Sequence, residues 1–176
     1  PVKQRILEER KKNSGDKKPV DLKPYAAWDF NGDLKSSVGD FPLKAHGKIQ
    51  FRDGMVVLNR SFLQSANLPI DLKAKSVEVW CKMPTINQRG GGVMGIQGPG
   101  DFFDTIVYGE RKSRHWISGS NGHSRTLDFP KSTPETEANQ LLHLVITYQE
   151  DGTTAMYRNG KPYGKPYRRG KATFPK

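Results

Sequence analysis

The sequence predicts an all-β protein, and its clearest indication is the stretch LLHLVITYQEDGTTAMYRNG at residues 141–160. Apolar side chains recur there at every second position, which is the period of a half-buried strand; they are Leu142, Leu144, Ile146 and Tyr148. The turn signal Glu150–Asp151–Gly152 separates this run from a second one, which ends at Asn159–Gly160. The chain also has 18 Gly, 12 Pro and only 34% hydrophobic residues, which suits many turns better than a helical bundle. We therefore expect a hairpin followed by a second reversal.

Further strands are predicted before the 141–160 hairpin. Ile49–Phe51 and Met55–Leu58 flank a hairpin signal at Arg52–Asp53–Gly54. Phe102–Glu110 and His115–Ile117 are two more strands, followed by the polar turn SGSNGHSRT.

The strand Ser76–Met83 has one apolar face and one polar face. Cys81 falls on the apolar face, where we expect it to be an inert small hydrophobe. Trp80 falls on the other face, exposed between two charged residues. In a folded domain we expect four aliphatic residues of this strand and of the 141–160 hairpin to be buried and Lys82 to be exposed; the four are Val77, Val79, Leu144 and Ile146.

The net charge of +11 is concentrated at the two ends of the chain. Residues 1–24 carry eight Lys/Arg and four Asp/Glu, residues 158–176 carry seven and none, and the remaining residues 25–157 are neutral. We interpret 1–24 as a charged helical and linker segment, and 25–176 as one domain with a basic, solvated tail. The alternative is a tail that binds anionic polymers, with the tyrosines of KPYGKPY as stacking partners. The neutral body argues against a nucleic-acid partner.

Several longer motifs resemble one known family. The opening Trp28-x-Phe30, with Tyr25–Phe30 as first strand, and the runs VEVWCK, QRGGGVM, FDTIVYGER, WISGS, HLVITY and MYRNGKPYG resemble LamG-like jelly rolls of the concanavalin A-like lectin/glucanase superfamily. The resemblance runs from about Ala27 to Tyr167. It is closest to the type found in large secreted planctomycete multidomain proteins that also carry a c-type cytochrome-like region.

The resemblance implies an antiparallel two-sheet β-sandwich in an extracytoplasmic, periplasmic or secreted protein. Such jelly rolls finish with further strands beside the N-terminal strand, whereas this chain begins at Pro1 and stops at Lys176. We therefore expect a piece of a larger protein, completed by another polypeptide or by the rest of its precursor. No apolar run is long enough for a membrane span.

The resemblance also implies a non-catalytic module that binds carbohydrate or a protein partner. Glycosidases of the superfamily carry Glu-x-Asp-x-(x)-Glu on one strand, and this spacing does not occur here. A divergent glycoside hydrolase remains the alternative from a different class. The single cysteine excludes an internal disulfide, and the four histidines lack metal-ligand spacing.

Sugar recognition needs flat aromatic faces and charged groups for paired hydrogen bonds. The candidate ligand-binding residues are Trp80, Arg89, Asp104, Tyr108, Glu110, Trp116 and Arg125. The alternative is that Tyr108 and Trp116 are core residues and that the charged members form internal ion pairs. We expect no cofactor; the alternative is Ca²⁺, which some family members bind at the rim of the sandwich and for which Asp101 and Asp104 are weak candidates.

Overall fold

The computed structural model describes residues 23–176, together with five positions of the preceding segment. Those five positions are helical and exposed; they are Gln4, Leu7, Glu8, Lys11 and Lys12. The rest of the segment predicted as helix and linker lies outside the described residues. Among the residues that the structure describes, no helix has the length and apolar character needed to cross a membrane.

The chain divides into two compact units, Pro1–Asn67 and Leu68–Lys176. The first unit holds four short strands: β1 Lys44–His46, β2 Ile49–Arg52, β3 Met55–Leu58 and β4 Phe62–Gln64. Strand β1 pairs with β4, and β2 pairs with β3, all antiparallel. The predicted hairpin is thereby confirmed, and its turn residues Asp53 and Gly54 have the positive φ angles, 53° and 70°, that a tight hairpin turn requires. The predicted domain at 25–176 spans parts of both units, and its boundaries stay a prediction.

The prediction of an opening strand at Tyr25–Phe30 is wrong. Only Ala27 makes a β-bridge there, with Val38. Phe30 has a left-handed φ of 54°, which interrupts an extended run. Trp28 is half-buried and its indole Nε1 donates a hydrogen bond to the Phe41 carbonyl oxygen at 2.7 Å, so the indole is held by a local loop.

The second unit contains eight strands and one short 3₁₀ helix. They are β5 Lys75–Lys82, β6 Gly92–Gln97, β7 Phe103–Tyr108, β8 Trp116–Ser120, the 3₁₀ helix Asn121–His123, β9 Leu141–Tyr148, β10 Thr153–Arg158, β11 Lys161–Pro162 and β12 Tyr167–Arg168. One sheet has the order β11-β10-β9-β5, with β12 also pairing with β10, and the other has the order β6-β7-β8. Every pairing is antiparallel.

The two sheets share one hydrophobic core, which is the arrangement of the predicted sandwich. Val77, Leu144 and Ile146 from one sheet and Ile106 and Trp116 from the other are buried in a single cluster. Alternation along β5 and β9 places these residues on the inner face, because neighbouring side chains of a strand point to opposite faces. The antiparallel two-sheet fold is confirmed.

The predicted faces are confirmed for three of the four aliphatic residues and for Lys82. Val77, Leu144 and Ile146 are buried as predicted, and Lys82 is exposed. Val79 is half-buried and packs against the core from the edge strand β5.

The predicted hairpin at 141–160 is also confirmed. Strands β9 and β10 pair from Thr154 opposite Tyr148 to Arg158 opposite Leu144. Asn159 and Gly160 form the second reversal, with φ of 52° and 77°.

The polar turn predicted at SGSNGHSRT is partly wrong, because Ser118–Ser120 continue β8. All five residues of that strand are buried, so it shows no alternation. Gly119 lies directly beside β7: a Cβ at this position would come within 2.5 Å of Val107 Cγ2. The small residues that suggested a turn are those that allow close packing inside the sandwich.

The basic tail is solvated only in part: its lysines are exposed as predicted, but three of its aromatic residues are buried. Tyr163, Tyr167 and Phe174 are buried, with 4%, 9% and 2% exposure. Phe174 exchanges two backbone hydrogen bonds with Leu72, of 2.8 and 2.9 Å. The tyrosines of KPYGKPY are therefore core residues and do not stack on a polymer. We call residues 165–176 the C-terminal strap.

Cys81 should be unreactive in the native protein. It packs against the core, and burial, with a smaller contribution from Glu135, raises the pKa of its thiol to about 12. At pH 8 roughly one molecule in 10⁴ then carries the reactive thiolate. We expect negligible reaction with Ellman's reagent at pH 8 without denaturant and one thiol per chain in guanidinium chloride. Rapid labelling of the folded protein would show that β5 does not bury this face.

Candidate binding cleft

Two of the predicted ligand-binding residues are core residues. Tyr108 and Trp116 are 1% and 0% exposed, and their ring centroids lie 4.7 Å apart. Trp116 Nε1 donates to Glu135 Oε1 at 2.8 Å, and the Tyr108 hydroxyl donates to the Ile86 carbonyl oxygen at 2.8 Å. Neither ring offers a face to a ligand, so we leave both out of the candidate site.

Three other predicted residues lie on separate elements. Trp80 was predicted to be exposed, but it is half-buried: it lies on the outer face of β5 and stacks on His143, with ring centroids 4.6 Å apart. Arg89 is exposed in the loop before β6. Glu110 is exposed beyond β7, and one of its oxygens lies 3.3 Å from His123 Nε2. A strand pattern shows which way a side chain faces, but it does not show which other strand lies beside it.

The remaining two predicted residues, Asp104 and Arg125, meet in a buried charge cluster with Lys75. Asp104, 1% exposed, accepts hydrogen bonds at Oδ1 from Arg125 Nε at 3.1 Å and Nη2 at 3.0 Å. Its second oxygen, Oδ2, accepts from Lys75 Nζ at 2.7 Å. A buried carboxylate needs such partners, since an unpaired charge in the interior is costly.

Lys75 was missed in the sequence because it lies one residue before the predicted strand Ser76–Met83, whereas the strand begins at Lys75. It has the same parity as Val77 and Val79, so the alternation that places those residues in the core also directs Lys75 inward. The sequence signal for Lys75 is therefore a lysine at a position where the alternation predicts a residue facing the core.

Aromatic rings enclose the buried lysine. Its Nζ lies over the rings of Tyr148 and Phe174, 4.4 and 4.2 Å from their centroids, which is cation–π geometry. Burial lowers the pKa of Lys75, while the hydrogen bond to Asp104 raises it in part. Burial also raises the pKa of Tyr148, whose hydroxyl oxygen accepts a hydrogen bond from Ser118 Oγ at 2.9 Å.

Arg125 is fixed by several more contacts. Its Nη2 also donates to the Phe103 carbonyl oxygen at 2.9 Å and to Asn121 Oδ1 at 3.1 Å. Its Nη1 donates to Ser124 Oγ at 3.1 Å, and the guanidinium lies 4.5 Å from the Phe102 ring centroid. A guanidinium held at this many points is preorganised.

A shallow cleft with a volume of about 20 Å³ opens above this charge cluster. It is lined by Lys73, Lys75, Asp104, Arg125, Tyr148, Gln149, Gly152, Thr154, Arg169, Gly170, Lys171 and Ala172. The buried Lys75–Asp104–Arg125 cluster forms the floor. Exposed cations of the segment before β5 and of the C-terminal strap form the rim; they are Lys73, Arg169 and Lys171.

The strap and the β9–β10 turn close one side of the cleft. Gly152 has a φ of 88°, and a Cβ there would lie 2.4 Å from the Gly170 carbonyl oxygen. Only glycine allows this approach.

Asp104, one of the two weak candidates for calcium, is already engaged by other groups. Both oxygens of Asp104 already accept hydrogen bonds from cationic side chains, which replace a metal ion at that carboxylate. Asp101 is exposed in the turn between β6 and β7. Within the described part of the chain, no three or more His, Cys, Asp and Glu side chains are grouped as metal ligands would be.

A comparison with protein families gave a match over most of the chain. The Laminin_G_3 model, described as the concanavalin A-like lectin/glucanases superfamily, matches residues 59–174. This range contains every strand of the sandwich and the whole lining of the cleft. Searches of curated proteins and of solved structures gave no match. The two-sheet antiparallel sandwich and the matched family agree, and the chain belongs to the concanavalin A-like lectin/glucanase superfamily.

Proposed function

We propose that this chain is a non-catalytic binding module whose ligand is a carbohydrate held in the cleft beside the C-terminal strap. The family supports a glycan-related binding module, since lectins and glucanases both hold sugars. The observation that carries the proposal is the floor of the cleft, where Lys75, Asp104 and Arg125 fix one another. Polar groups that are rigid before binding lose little entropy when a ligand arrives.

The polar lining of the cleft favours a sugar as the ligand. Lysine, arginine, glutamine and threonine side chains line it and can donate hydrogen bonds to ring hydroxyls. The cleft is shallow, with a volume of about 20 Å³, so a saccharide would lie across its opening and not be enclosed by it.

The carboxylates support binding without catalysis. Glycoside hydrolysis normally uses two carboxyl groups on either side of the scissile bond. The cleft is lined by one, Asp104, and both of its oxygens are engaged by Lys75 and Arg125. We place the module in a larger extracytoplasmic protein, in keeping with the usual setting of laminin G-like domains.

The test is a glycan array followed by calorimetric titration of the best saccharide. We expect binding without turnover. Ala172→Trp, which fills the cleft, should weaken the affinity at least roughly tenfold, and Ala138→Trp, at an exposed position outside the lining, should leave it unchanged.

Both variants should keep the melting temperature of the parent protein, which separates blocking from unfolding. Release of reducing ends from the bound saccharide would contradict the non-catalytic proposal. Equal weakening by the two tryptophans would place the ligand elsewhere.

A further inference from the structure

We infer that Asn31 is a modification site, at which the folded protein loses its side-chain amide spontaneously and acquires an aspartate or an isoaspartate. The chain contains three Asn–Gly pairs, at 31–32, 121–122 and 159–160. Such pairs deamidate readily, because glycine has no side chain to hinder attack by its own backbone nitrogen. The structure holds the asparagine side chain in two of the three pairs and leaves Asn31 exposed, so the pairs should differ in the native protein.

The reaction consumes only water. The backbone nitrogen of Gly32 gives its proton to hydroxide and attacks Cγ, the side-chain carbonyl carbon of Asn31. The bond from Cγ to Nδ2 breaks, the nitrogen takes a proton from water and leaves as ammonia, and a cyclic succinimide remains. Water then opens the ring: cleavage at the Cγ carbonyl gives aspartate, and cleavage at the backbone carbonyl gives isoaspartate. No group is oxidised or reduced, and the rate rises with pH because the glycine nitrogen must first lose its proton.

Asn31 lies in an exposed bend that precedes Asp33. Within the part of the chain that the structure describes, neither the Asn31 side chain nor the Gly32 N–H takes part in a hydrogen bond. Gly32 has a φ of 98°, and a Cβ at this position would meet no other part of the chain within 4 Å. The Asn31 side chain therefore has both the space and the freedom to turn its Cγ toward the glycine nitrogen.

Asn121 is held by the arginine of the cleft floor. Its Oδ1 accepts a hydrogen bond from Arg125 Nη2 at 3.1 Å, and Arg125 is itself fixed on the buried Asp104. The Asn121 backbone carbonyl also accepts from the Ser124 N–H at 3.1 Å. A hydrogen bond to a charged donor is stronger than one between neutral groups, and it must break before Cγ can reach the nitrogen of Gly122.

Asn159 is held by the backbone of β9. Its Oδ1 accepts from the His143 N–H at 2.9 Å, and its own N–H donates to the His143 carbonyl oxygen at 2.8 Å. Rotation of the side chain toward Gly160 would take the acceptor away from a backbone N–H, which costs free energy. Asn121 and Asn159 are therefore both protected by the native fold.

The modification should change charge without changing the sandwich. A β-bridge between Ala27 and Val38 closes the base of the loop that carries Asn31. The loop precedes the matched residues 59–174, and neither the core cluster nor the lining of the cleft includes any of it. The new carboxylate adds one negative charge between Asp29 and Asp33. We expect a more acidic form of the protein to accumulate with an unchanged melting temperature.

The experiment incubates the full chain in mildly alkaline buffer, once folded and once in guanidinium chloride. Peptide mapping by mass spectrometry measures the fraction of each asparagine that has become aspartate or isoaspartate. The test variant is Asn31→Gln, whose longer side chain closes the corresponding ring far more slowly. The matched control is Asn59→Gln, which changes another exposed asparagine that is followed by Arg60 and not by glycine.

In the folded protein, Asn31 should deamidate at least roughly tenfold faster than Asn121 and Asn159, a difference in barrier of about 1.4 kcal/mol. In guanidinium chloride the three rates should become similar, because the hydrogen bonds that hold the two protected asparagines are lost. The acidic form separated by ion exchange should be absent from Asn31→Gln and should persist in Asn59→Gln.

Three results would overturn the inference. Similar rates at the three pairs in the folded protein would show that the hydrogen bonds of Asn121 and Asn159 give no protection. An Asn31 that is stable in the folded protein but reacts in guanidinium chloride would show that the bend holds it in an unreactive conformation. A preference for Asn31 that is unchanged in guanidinium chloride would assign it to neighbouring residues in the sequence and not to the fold. None of these results depends on whether the cleft binds a saccharide.

Discussion

Replacing Asp104 with asparagine is expected to lower the free energy of unfolding by about 3–5 kcal/mol, because it breaks a buried ion cluster on one side only. The substitution keeps the size of the side chain and removes its charge. Lys75 and Arg125 then face each other without a counterion, and their side chains are only 3% and 12% exposed. The amide N–H₂ of asparagine also has no acceptor there, since the neighbouring groups are donors.

Denaturant unfolding followed by tryptophan fluorescence measures this loss. The matched control is Asp128→Asn, which removes the same charge from an exposed pair with Arg111, where the two side chains are 25% and 35% exposed. Exposed pairs contribute about 0–1 kcal/mol, so the control should change little. Similar losses for the two variants would show that Lys75 and Arg125 are solvated and that the floor of the cleft is not a buried cluster.

Leu144→Ala is expected to lower the free energy of unfolding by about 2–5 kcal/mol. Leu144 is 0% exposed at the centre of the core, opposite Val79 on β5 and Arg158 on β10. Removing three heavy atoms from a closely packed site loses their burial and leaves a cavity that neighbouring strands fill only in part.

The same unfolding experiment serves here, with Val145→Ala as control. Val145 is the next residue along β9, points to the outer face and is half-buried. Truncating Val145 to alanine should lower the free energy of unfolding clearly less than Leu144→Ala does. A loss under about 0.5 kcal/mol for Leu144→Ala, or a larger one for Val145→Ala, would reverse the assignment of the two faces.

The parts of the fold that the sequence predicts well are those with one buried face. Along β9, buried and half-buried residues alternate, and this alternation is visible as the spacing of Leu142, Leu144 and Ile146. Strand β8 is harder to predict from the sequence, because both of its faces are buried and serine and glycine replace the aliphatic residues. The local composition of β8 indicates a turn, but packing against residues distant in the sequence stabilises a strand.

The candidate site was predicted less completely than the fold. Asp104 and Arg125 are 21 residues apart in the chain and were named as candidates, but their partner Lys75 comes from the opposite sheet. The strap residues Arg169 and Lys171 were assigned to a solvated tail on charge alone. Aromatic residues at 163, 167 and 174 anchor that tail in the core, and nothing in their local pattern shows where they dock.

The pairing of Leu72 with Phe174 places the two ends of the sandwich side by side. The backbone enters the sandwich at Leu72 and leaves it at Phe174, and two hydrogen bonds join these points. When the first and last residues of a unit lie side by side, the unit can be inserted into a surface loop of another protein without distorting that loop. Such a unit also tolerates circular permutation. The sandwich is therefore suited to insertion into another protein, and new ends can be opened at an exposed segment such as 136–138.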